Sequence, residues 1–185
     1  MNSTSIHPLW ALCLIASGLG CTSSGNKQAA ANPPGETRII NFVDAKRGVK
    51  LVYTSDWSET SFFKPPQMVV LLVRGDEVLS LASQPPAKPL SPSDLPVIDQ
   101  QTIDKLPSQF DDFKLVERND TTLGGEPAKR TVYTGKKFGR LIESMNVLCI
   151  HGGSPYLFVY MSEADAFTDG RPGVQKIIDS VEFTK

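Results

Sequence analysis

Residues 121–134, TTLGGEPAKRTVYT, carry the strongest turn signal in this sequence. Two adjacent glycines, Gly124 and Gly125, separate a run ending at Leu123 from an alternating segment that begins at Ala128. Because glycine adopts positive φ without a Cβ penalty, the pair favours a sharp reversal of the chain. Pro127 falls at the start of the return strand, where a missing backbone N–H costs least. The stretch therefore predicts an antiparallel β-hairpin.

Apolar runs on both sides of the hairpin predict further antiparallel strands. Strands are expected at 39–43, 48–53, 68–73, 78–82, 140–151 and 156–161. The run 68–73 is apolar without alternation, which is typical of a central strand covered on both faces. Segment 140–151 is expected to form a long strand with two faces: one carries Leu141, Glu143, Met145, Val147 and Cys149, and the other carries Ile142, Ser144, Asn146, Leu148 and Ile150.

Two helices are expected beside these strands. Ser93 has the chemistry of an N-cap, and Pro107 ends the helix that would follow it. A second helix is predicted to begin near Pro172, since Val174, Ile177, Ile178 and Val181 fall at helical spacing. Residues 182–184 predict a last short strand. The expected fold is α+β: one domain over 37–185, with a central, mostly antiparallel sheet flanked by a few helices.

Residues 1–21 have the pattern of a bacterial lipoprotein signal peptide. The apolar run 9–19 is too short to span a membrane but fits a signal-peptide core. Small residues then precede Cys21, which resembles the site of cysteine diacylation. Gly18 stands where leucine is usual, and no lysine or arginine precedes the run. The alternative is an ordinary cleaved signal peptide with an incidental Cys21.

The following segment, 22–36, is small, polar and closed by Pro33-Pro34-Gly35, so it has nothing to pack. A flexible linker of this length has a root-mean-square span of roughly 20 Å and a stretched limit of about 50 Å. We therefore expect a tether that holds a globular domain near a membrane, anchored by acyl chains on Cys21.

Several landmarks occur in a recognisable order along the domain. They are Gly48-Val-Lys-Leu-Val-Tyr with Asp56-Trp57, Leu123-Gly-Gly-Glu-Pro-Ala128 before Val132-Tyr133, Tyr156 to Tyr160 before Ala164 and Phe167, and Ile177-Ile-Asp-Ser-Val-Glu-Phe183. In this order they resemble the PsbP/DcrB-like superfamily from about Arg38 to Lys185. The resemblance implies an antiparallel sheet between helices, an α/β/α sandwich. It implies no shared enzymatic activity, because members are mostly accessory or binding proteins.

The residues needed for common chemistries are sparse after Cys21. His151 is the only histidine there and Cys149 the only thiol, so neither a catalytic triad nor a structural zinc site is expected. Segment 165–170 has part of an EF-hand pattern, but Phe167 and Lys176 occupy ligand positions, leaving at most weak calcium binding. A formal charge of −1 gives no support for nucleic-acid binding. No catalytic residue, metal site or cofactor is predicted.

Three functions remain open at this point. The first is a non-enzymatic, membrane-tethered accessory protein that binds another envelope component. The second is a carrier of a small ligand or metal ion, with a pocket between sheet and helix, and the third is an enzyme of unfamiliar type. For the first, the expected contact surface is the glycine hairpin with its basic neighbours Lys129, Arg130, Lys136 and Lys137, which would steer an acidic partner.

Overall fold

The computed structural model describes residues 37–60 and 65–184, which form ten strands and two α-helices. The predicted signal peptide, Cys21 and the tether lie outside these residues. In chain order the elements are β1 (Ile39–Asp44), β2 (Val49–Thr54), β3 (Ser58–Glu59), β4 (Met68–Arg74), β5 (Glu77–Ser83), α1 (Leu95–Ile103), β6 (Asp111–Leu123), β7 (Glu126–Lys137), β8 (Arg140–His151), β9 (Ser154–Glu163), α2 (Ala164–Asp179) and β10 (Glu182–Phe183).

The strands form two sheets, and every neighbouring pair in them is antiparallel. The larger sheet has the order β3-β4-β5-β9-β8-β7-β6. The smaller sheet has the order β1-β2-β10, so the last strand of the described chain joins the first two. The expected α+β class with a mostly antiparallel sheet is confirmed. A second, smaller sheet was not foreseen.

The larger sheet is packed on both faces, in a layered arrangement. One face carries the main core, which contains Met145, Val147 and Cys149 and is covered by α2 and by β2. The opposite face carries Leu148 and Val159 under Leu95 and Ile98 of α1. The alternation predicted for β8 is therefore confirmed, because its two sets of residues lie in different cores.

The glycine hairpin forms as the sequence predicts. Strands β6 and β7 pair from Leu123 opposite Glu126 outward, and Pro127 is the second residue of the return strand. The six-residue apolar run beginning at Met68 lies in β4, whose first five residues are buried. Its antiparallel partner is β5, again as expected.

Both predicted helix starts are wrong. Helix α2 begins at Ala164, and Pro172 lies inside it. Phe167 anchors this earlier part by stacking on Tyr160, with ring centroids 5.1 Å apart. Gly170 allows the close approach, since a Cβ there would lie 2.0 Å from the Tyr160 hydroxyl oxygen. The first turns of helix α2 are not apparent from the sequence, because only one large apolar residue among its first seven points to the core.

The first helix also begins later than predicted. Ser93 lies within a short 3-10 turn, Pro92–Asp94, and α1 starts at Leu95. The backbone N–H of Ser91 donates to the Asp94 carboxylate at 2.7 Å, which fixes the entry to this turn. No helix in the described part of the chain is long and apolar enough to cross a membrane.

Candidate functional site

Strand β7 carries all four of the basic residues expected to bind a partner, but it separates them into two pairs. Lys129 and Arg130 lie toward Gly124-Gly125, hereafter the glycine turn. Lys136 and Lys137 lie beside Phe138-Gly139, hereafter the phenylalanine turn, which joins β7 to β8. Seven residues of extended strand put the two pairs roughly 20 Å apart. They therefore belong to two different surfaces.

The glycine turn is packed against the end of the domain. Both glycines have positive φ, and a Cβ on Gly124 would lie 2.5 Å from the ring of Phe183. That ring stacks on His151, with centroids 4.3 Å apart and planes inclined by 9°. The Nδ1 atom of His151 lies 2.8 Å from the Glu126 carboxylate, just beyond the turn. This end of β7 is a buttressed structural corner.

The basic residues near the glycine turn are paired with acids. Lys129 forms an ion pair with Asp120 of β6. Arg130 reaches the Glu117 carboxylate at 3.0 Å and donates to the Asn119 side-chain oxygen at 3.1 Å. Their charges are largely neutralised by neighbours on the adjacent strand.

The phenylalanine turn, in contrast to the packed glycine turn, is exposed and has a strained backbone. Phe138 has φ 52° and is 75% exposed, while Gly139 has φ 79°. A left-handed backbone costs a non-glycine residue roughly 1–2 kcal/mol, and hairpin turns of this kind favour asparagine or aspartate at that place. An aromatic side chain held there in solvent contributes little packing in return. Strain of this sort is concentrated at functional sites.

A groove of about 340 Å³ lies beneath the phenylalanine turn. Its lining residues come from the connection after α1 and from the ends of β6 and β7: Pro107, Ser108, Gln109, Phe110, Asp111, Lys136, Lys137 and Phe138. Phe110 packs over Gly135, where a Cβ would lie 2.6 Å from the Phe110 side chain. The Lys137 ammonium lies 5.4 Å from the centre of the Phe110 ring. Both side chains are largely buried, so an aromatic ring and an ammonium group lie in the floor of the groove.

A second strained residue stands beside this groove. Asp112 has φ 54°, and Asp112 and Phe138 are the non-glycine residues with positive φ in the described part of the chain. The Asp112 carboxylate pairs with Lys136 at 2.8 Å. This hydrogen-bonded contact lowers the pKa of Asp112 and raises the pKa of Lys136. Both strained positions therefore flank one surface feature.

Exposed apolar side chains gather at the same end of the sheet. Leu141, which lies opposite Lys136 on β8, is 51% exposed. Leu115 and Val116, where the pairing of β6 is interrupted by a bulge, are also exposed. Leu141 alternates in phase with Met145 and so lies on the α2 face, whereas Leu115 is opposite Tyr133 on the α1 face; Phe138 stands in the turn at the edge of both faces. We take the groove, the phenylalanine turn and Leu141 together as the candidate site and call it the Phe138 corner.

The thiol and imidazole side chains elsewhere in the domain, Cys149 and His151, are held in packed positions. Cys149 is fully buried, and burial, with the nearby charge of Glu126, raises the pKa of its thiol to about 12. His151 is held between Glu126 and Phe183, as described above. Among the described residues, no group of three or more histidine, cysteine, aspartate or glutamate side chains is arranged to hold a metal ion.

Sequence reasoning missed most of the Phe138 corner. Lys136 and Lys137 were singled out, but for a surface around the glycine turn. Phe138 and Phe110 carried no signal beyond being apolar residues near a turn. The one available cue was the pair Phe138-Gly139 itself, since a bulky residue before glycine is unusual in a tight hairpin.

Comparison with known proteins identifies a fold and nothing closer. No family model matches the chain, and no curated protein does. Among solved structures, a cyanobacterial PsbP from Synechocystis has 14% identity and a TM-score of 0.57, covering 84% of this chain and 98% of its own. LpqN, involved in cell envelope biogenesis of Mycobacterium tuberculosis, has 15% identity and a TM-score of 0.57, covering 82% and 93%.

A third solved structure, from Bacteroides thetaiotaomicron, has 12% identity and a TM-score of 0.55, covering 78% of this chain and 48% of that one. At such identities the likeness concerns the fold alone. The chain is similar to these proteins in the path of its backbone. The fold that the sequence resemblance implied is thereby confirmed.

Proposed function

We propose, from the PsbP-like fold of this chain and the character of the Phe138 corner, that it is a non-enzymatic accessory protein of the cell envelope. It binds another protein through the Phe138 corner. The observation that carries the proposal is Phe138 itself, an aromatic residue held at positive φ with three-quarters of its surface exposed. Aromatic side chains are favoured anchors of protein interfaces.

The chemistry of the corner indicates what the partner presents. Phe138 would contact an apolar side chain of the partner, because three-quarters of its aromatic surface is exposed and carries no polar atom. Lys136 lines the same groove with half of its side chain exposed and is paired with Asp112, so a carboxylate next to that apolar side chain would complement Lys136 by competing with Asp112. The partner segment is therefore apolar with an adjacent acidic residue.

Two further arguments support a location at the envelope. The pattern around Cys21 and the tether over 22–36 would hold the domain within about 50 Å of a membrane. The mycobacterial structure of the same fold is of a protein involved in cell envelope biogenesis. In this proposal, the protein is exported and anchored to a membrane by acyl chains on Cys21.

Site-specific photo-crosslinking in intact cells tests the docking surface. A photoreactive residue replaces Phe138 in one strain and Val97 in the other, because Val97 is an apolar residue exposed on α1, away from the corner. We expect a specific crosslinked protein at position 138 that position 97 does not capture. Equal capture at both positions, or none at 138, contradicts the proposal.

Charge reversal then separates the two halves of the surface first expected from the sequence. Lys136→Glu places an acid at the groove, whereas Lys129→Glu places one near the glycine turn. We expect the position-138 crosslink to fall severalfold with Lys136→Glu and to remain with Lys129→Glu. The reverse result would return the contact surface to the glycine turn.

Membrane attachment and catalysis have their own measurements. Mass spectrometry of the mature protein should find acyl chains on an N-terminal Cys21, and Cys21→Ala should release the protein from membranes. Cleavage elsewhere would leave a secreted protein with the same fold. Turnover of a defined substrate by the purified protein would overturn the non-enzymatic class.

A further inference from the structure

Three buried polar side chains on the α1 face of the larger sheet each have an oxygen atom without a hydrogen-bond partner. They are Thr131, Ser144 and Asn146, each no more than 4% exposed. The atoms concerned are the two hydroxyl oxygens and the Asn146 side-chain oxygen. Buried polar atoms are normally paired, and each exception calls for a physical explanation. We call these three residues the polar row.

The polar row is one continuous surface. Thr131 of β7 lies directly opposite Asn146 of β8, and Ser144 lies two residues from Asn146 on the same strand. Residues opposite each other, or two apart along a strand, point to the same face. Three independent unpartnered groups therefore converge on one place.

This place divides the apolar packing on the α1 face into two clusters. One contains Leu148 and Val159 with α1, and the other contains Tyr133 with Leu106 and Phe110. The polar row lies between them, since Asn146 is opposite Val159 and Ser144 is opposite Tyr133. Apolar residues in these positions would join the clusters into one core. The sequence instead places hydrogen-bonding groups at the junction.

The cover over this face is one short helix, which Arg118 of β6 ties to the sheet through Asp99. Helix α1 has nine residues and buries only Leu95, Ile98, Asp99 and Ile103. It is entered through residues 84–92, which contain four prolines. A short element with few buried contacts belongs to the part of a structure that opens locally at low free energy. Access to the polar row would require this local opening, with loss of the contacts between Arg118 and α1.

The charges near the polar row cancel each other. Arg118, which lies opposite Thr131, donates to the buried Asp99 carboxylate of α1 at 2.5 and 3.0 Å. Its remaining nitrogen donates to Gln100 at 2.9 Å. The ion pair leaves no net charge to select an ionic ligand. The Asn146 oxygen only accepts hydrogen bonds, so it needs a donor, whereas the two hydroxyls can donate or accept.

From these contacts we infer that the polar row is the floor of a binding site for a small, neutral molecule that donates hydrogen bonds, with α1 as its cover. This site is independent of the Phe138 corner. A primary amide or a hydroxyl compound has the required chemistry, because it supplies a donor for Asn146 and an acceptor for Thr131 or Ser144. An anion of the same shape lacks that donor and should not bind.

Acetamide and acetate are matched probes, since they share a shape and differ in donor capacity and charge. The full chain in detergent is titrated with each while amide chemical shifts are recorded. We expect acetamide to cause saturable shifts at residues 131, 144 and 146 and along α1, and acetate to cause none. No saturable response to acetamide, or an equal response to acetate, would overturn the site.

Variants locate the response on the polar row. Thr131→Val and Asn146→Leu keep the approximate size of each side chain and remove its hydrogen bonding. Both should weaken acetamide binding at least tenfold. Ser162→Ala is the matched control, because Ser162 is a buried strand residue whose hydroxyl already donates to the Glu163 backbone oxygen at 3.0 Å.

Unchanged acetamide shifts in Thr131→Val and Asn146→Leu would also refute the inference. A crystal structure grown with acetamide gives an independent readout that does not depend on how well the variants fold. Acetamide bound to the polar row supports the site. Ordered water alone on all three groups, at saturating acetamide, would show the row to be a structural water site and overturn it.

Discussion

The two ends of strand β7 carry hairpins with opposite designs. At the glycine turn, both turn residues are glycine and Phe183 packs directly on Gly124. At the phenylalanine turn, an exposed aromatic residue takes positive φ beside a groove. The glycine turn contributes stability through close packing. The phenylalanine turn has a strained backbone, and the packing of the exposed Phe138 ring does not offset that strain.

This difference shows how a local sequence signal relates to function. The glycine pair is conspicuous because the backbone needs glycine twice, and that need is structural. The phenylalanine turn is inconspicuous because its sequence does not match its conformation. A residue that does not suit its backbone conformation indicates selection for a property other than stability, such as recognition. Variants at the two ends should separate stability from recognition.

The largest expected effect lies in the core beside the glycine turn. Cys149 is opposite Ala128, three residues beyond that turn, and is fully buried. Cys149→Asp should lower the free energy of unfolding by about 3–5 kcal/mol at neutral pH, since it buries an unpaired carboxylate. Cys149→Ala, which introduces no charge, is the control and should cost much less. Chemical denaturation of both variants measures the difference.

The same variant has a predictable dependence on pH. Burial raises the pKa of the introduced carboxyl in the folded state above its unfolded value of about 3.9. The folded state then binds the proton more tightly than the unfolded state. The loss of unfolding free energy caused by Cys149→Asp is therefore smallest below the unfolded-state pKa and grows as pH rises toward the raised folded-state pKa. A deficit independent of pH, or rapid alkylation of native Cys149, would contradict its placement in the core.

The next effect compares the two glycines of one turn. Gly124→Ala combines a left-handed backbone penalty of roughly 1–2 kcal/mol with overpacking against Phe183 of about 1–3 kcal/mol. Gly125→Ala carries only the backbone penalty, because nothing lies within 4 Å of its added Cβ. We expect Gly124→Ala to be the more destabilising by at least about 1 kcal/mol in denaturant titrations.

Phe183 provides the check on that explanation. In the Phe183→Ala background the steric contact is absent, so the two glycine variants should have similar unfolding free energies. A persistent gap would mean that Phe183 does not buttress the turn. The comparison between a packed and an open hairpin would then lose its basis.

The sequence predicted well those features that depend on local pattern. Alternation placed Cys149 and Asn146 on opposite faces of β8, and the glycine pair placed the hairpin. Helix α2 was mispredicted because Phe167 and Gly170 make sense as helical residues only once Tyr160 is known to lie beneath them. A lone aromatic residue and a glycine give no helical period.

The functional surface depended on non-local facts. The sequence places four basic residues on one strand, but cross-strand acids pair with three of them: Asp120 with Lys129, Glu117 with Arg130 and Asp112 with Lys136. Such pairing depends on the β6–β7 register, which a bulge shifts between Leu115 and Glu117. The groove joins the connection after α1 to the end of β7, so no single stretch of sequence contains it.

The smallest expected change in stability is at the phenylalanine turn, and there its sign is informative. Phe138→Asn replaces a bulky residue with one that tolerates positive φ through its short polar side chain. The exposed ring loses little packing, so we expect the free energy of unfolding to rise by up to about 1 kcal/mol. Denaturant titration of the full chain checks the sign.

That gain should accompany a loss of recognition, which distinguishes docking from a structural role. In cells, the protein captured by a photoreactive residue at Leu141 should fall severalfold with Phe138→Asn. Val97→Asn, at an exposed position on α1, should leave that capture unchanged. If Phe138→Asn instead destabilises the domain by more than 1 kcal/mol, the ring acts in packing. Packing within the fold would then offset the strain at this turn, and the contrast between the two ends of β7 would disappear.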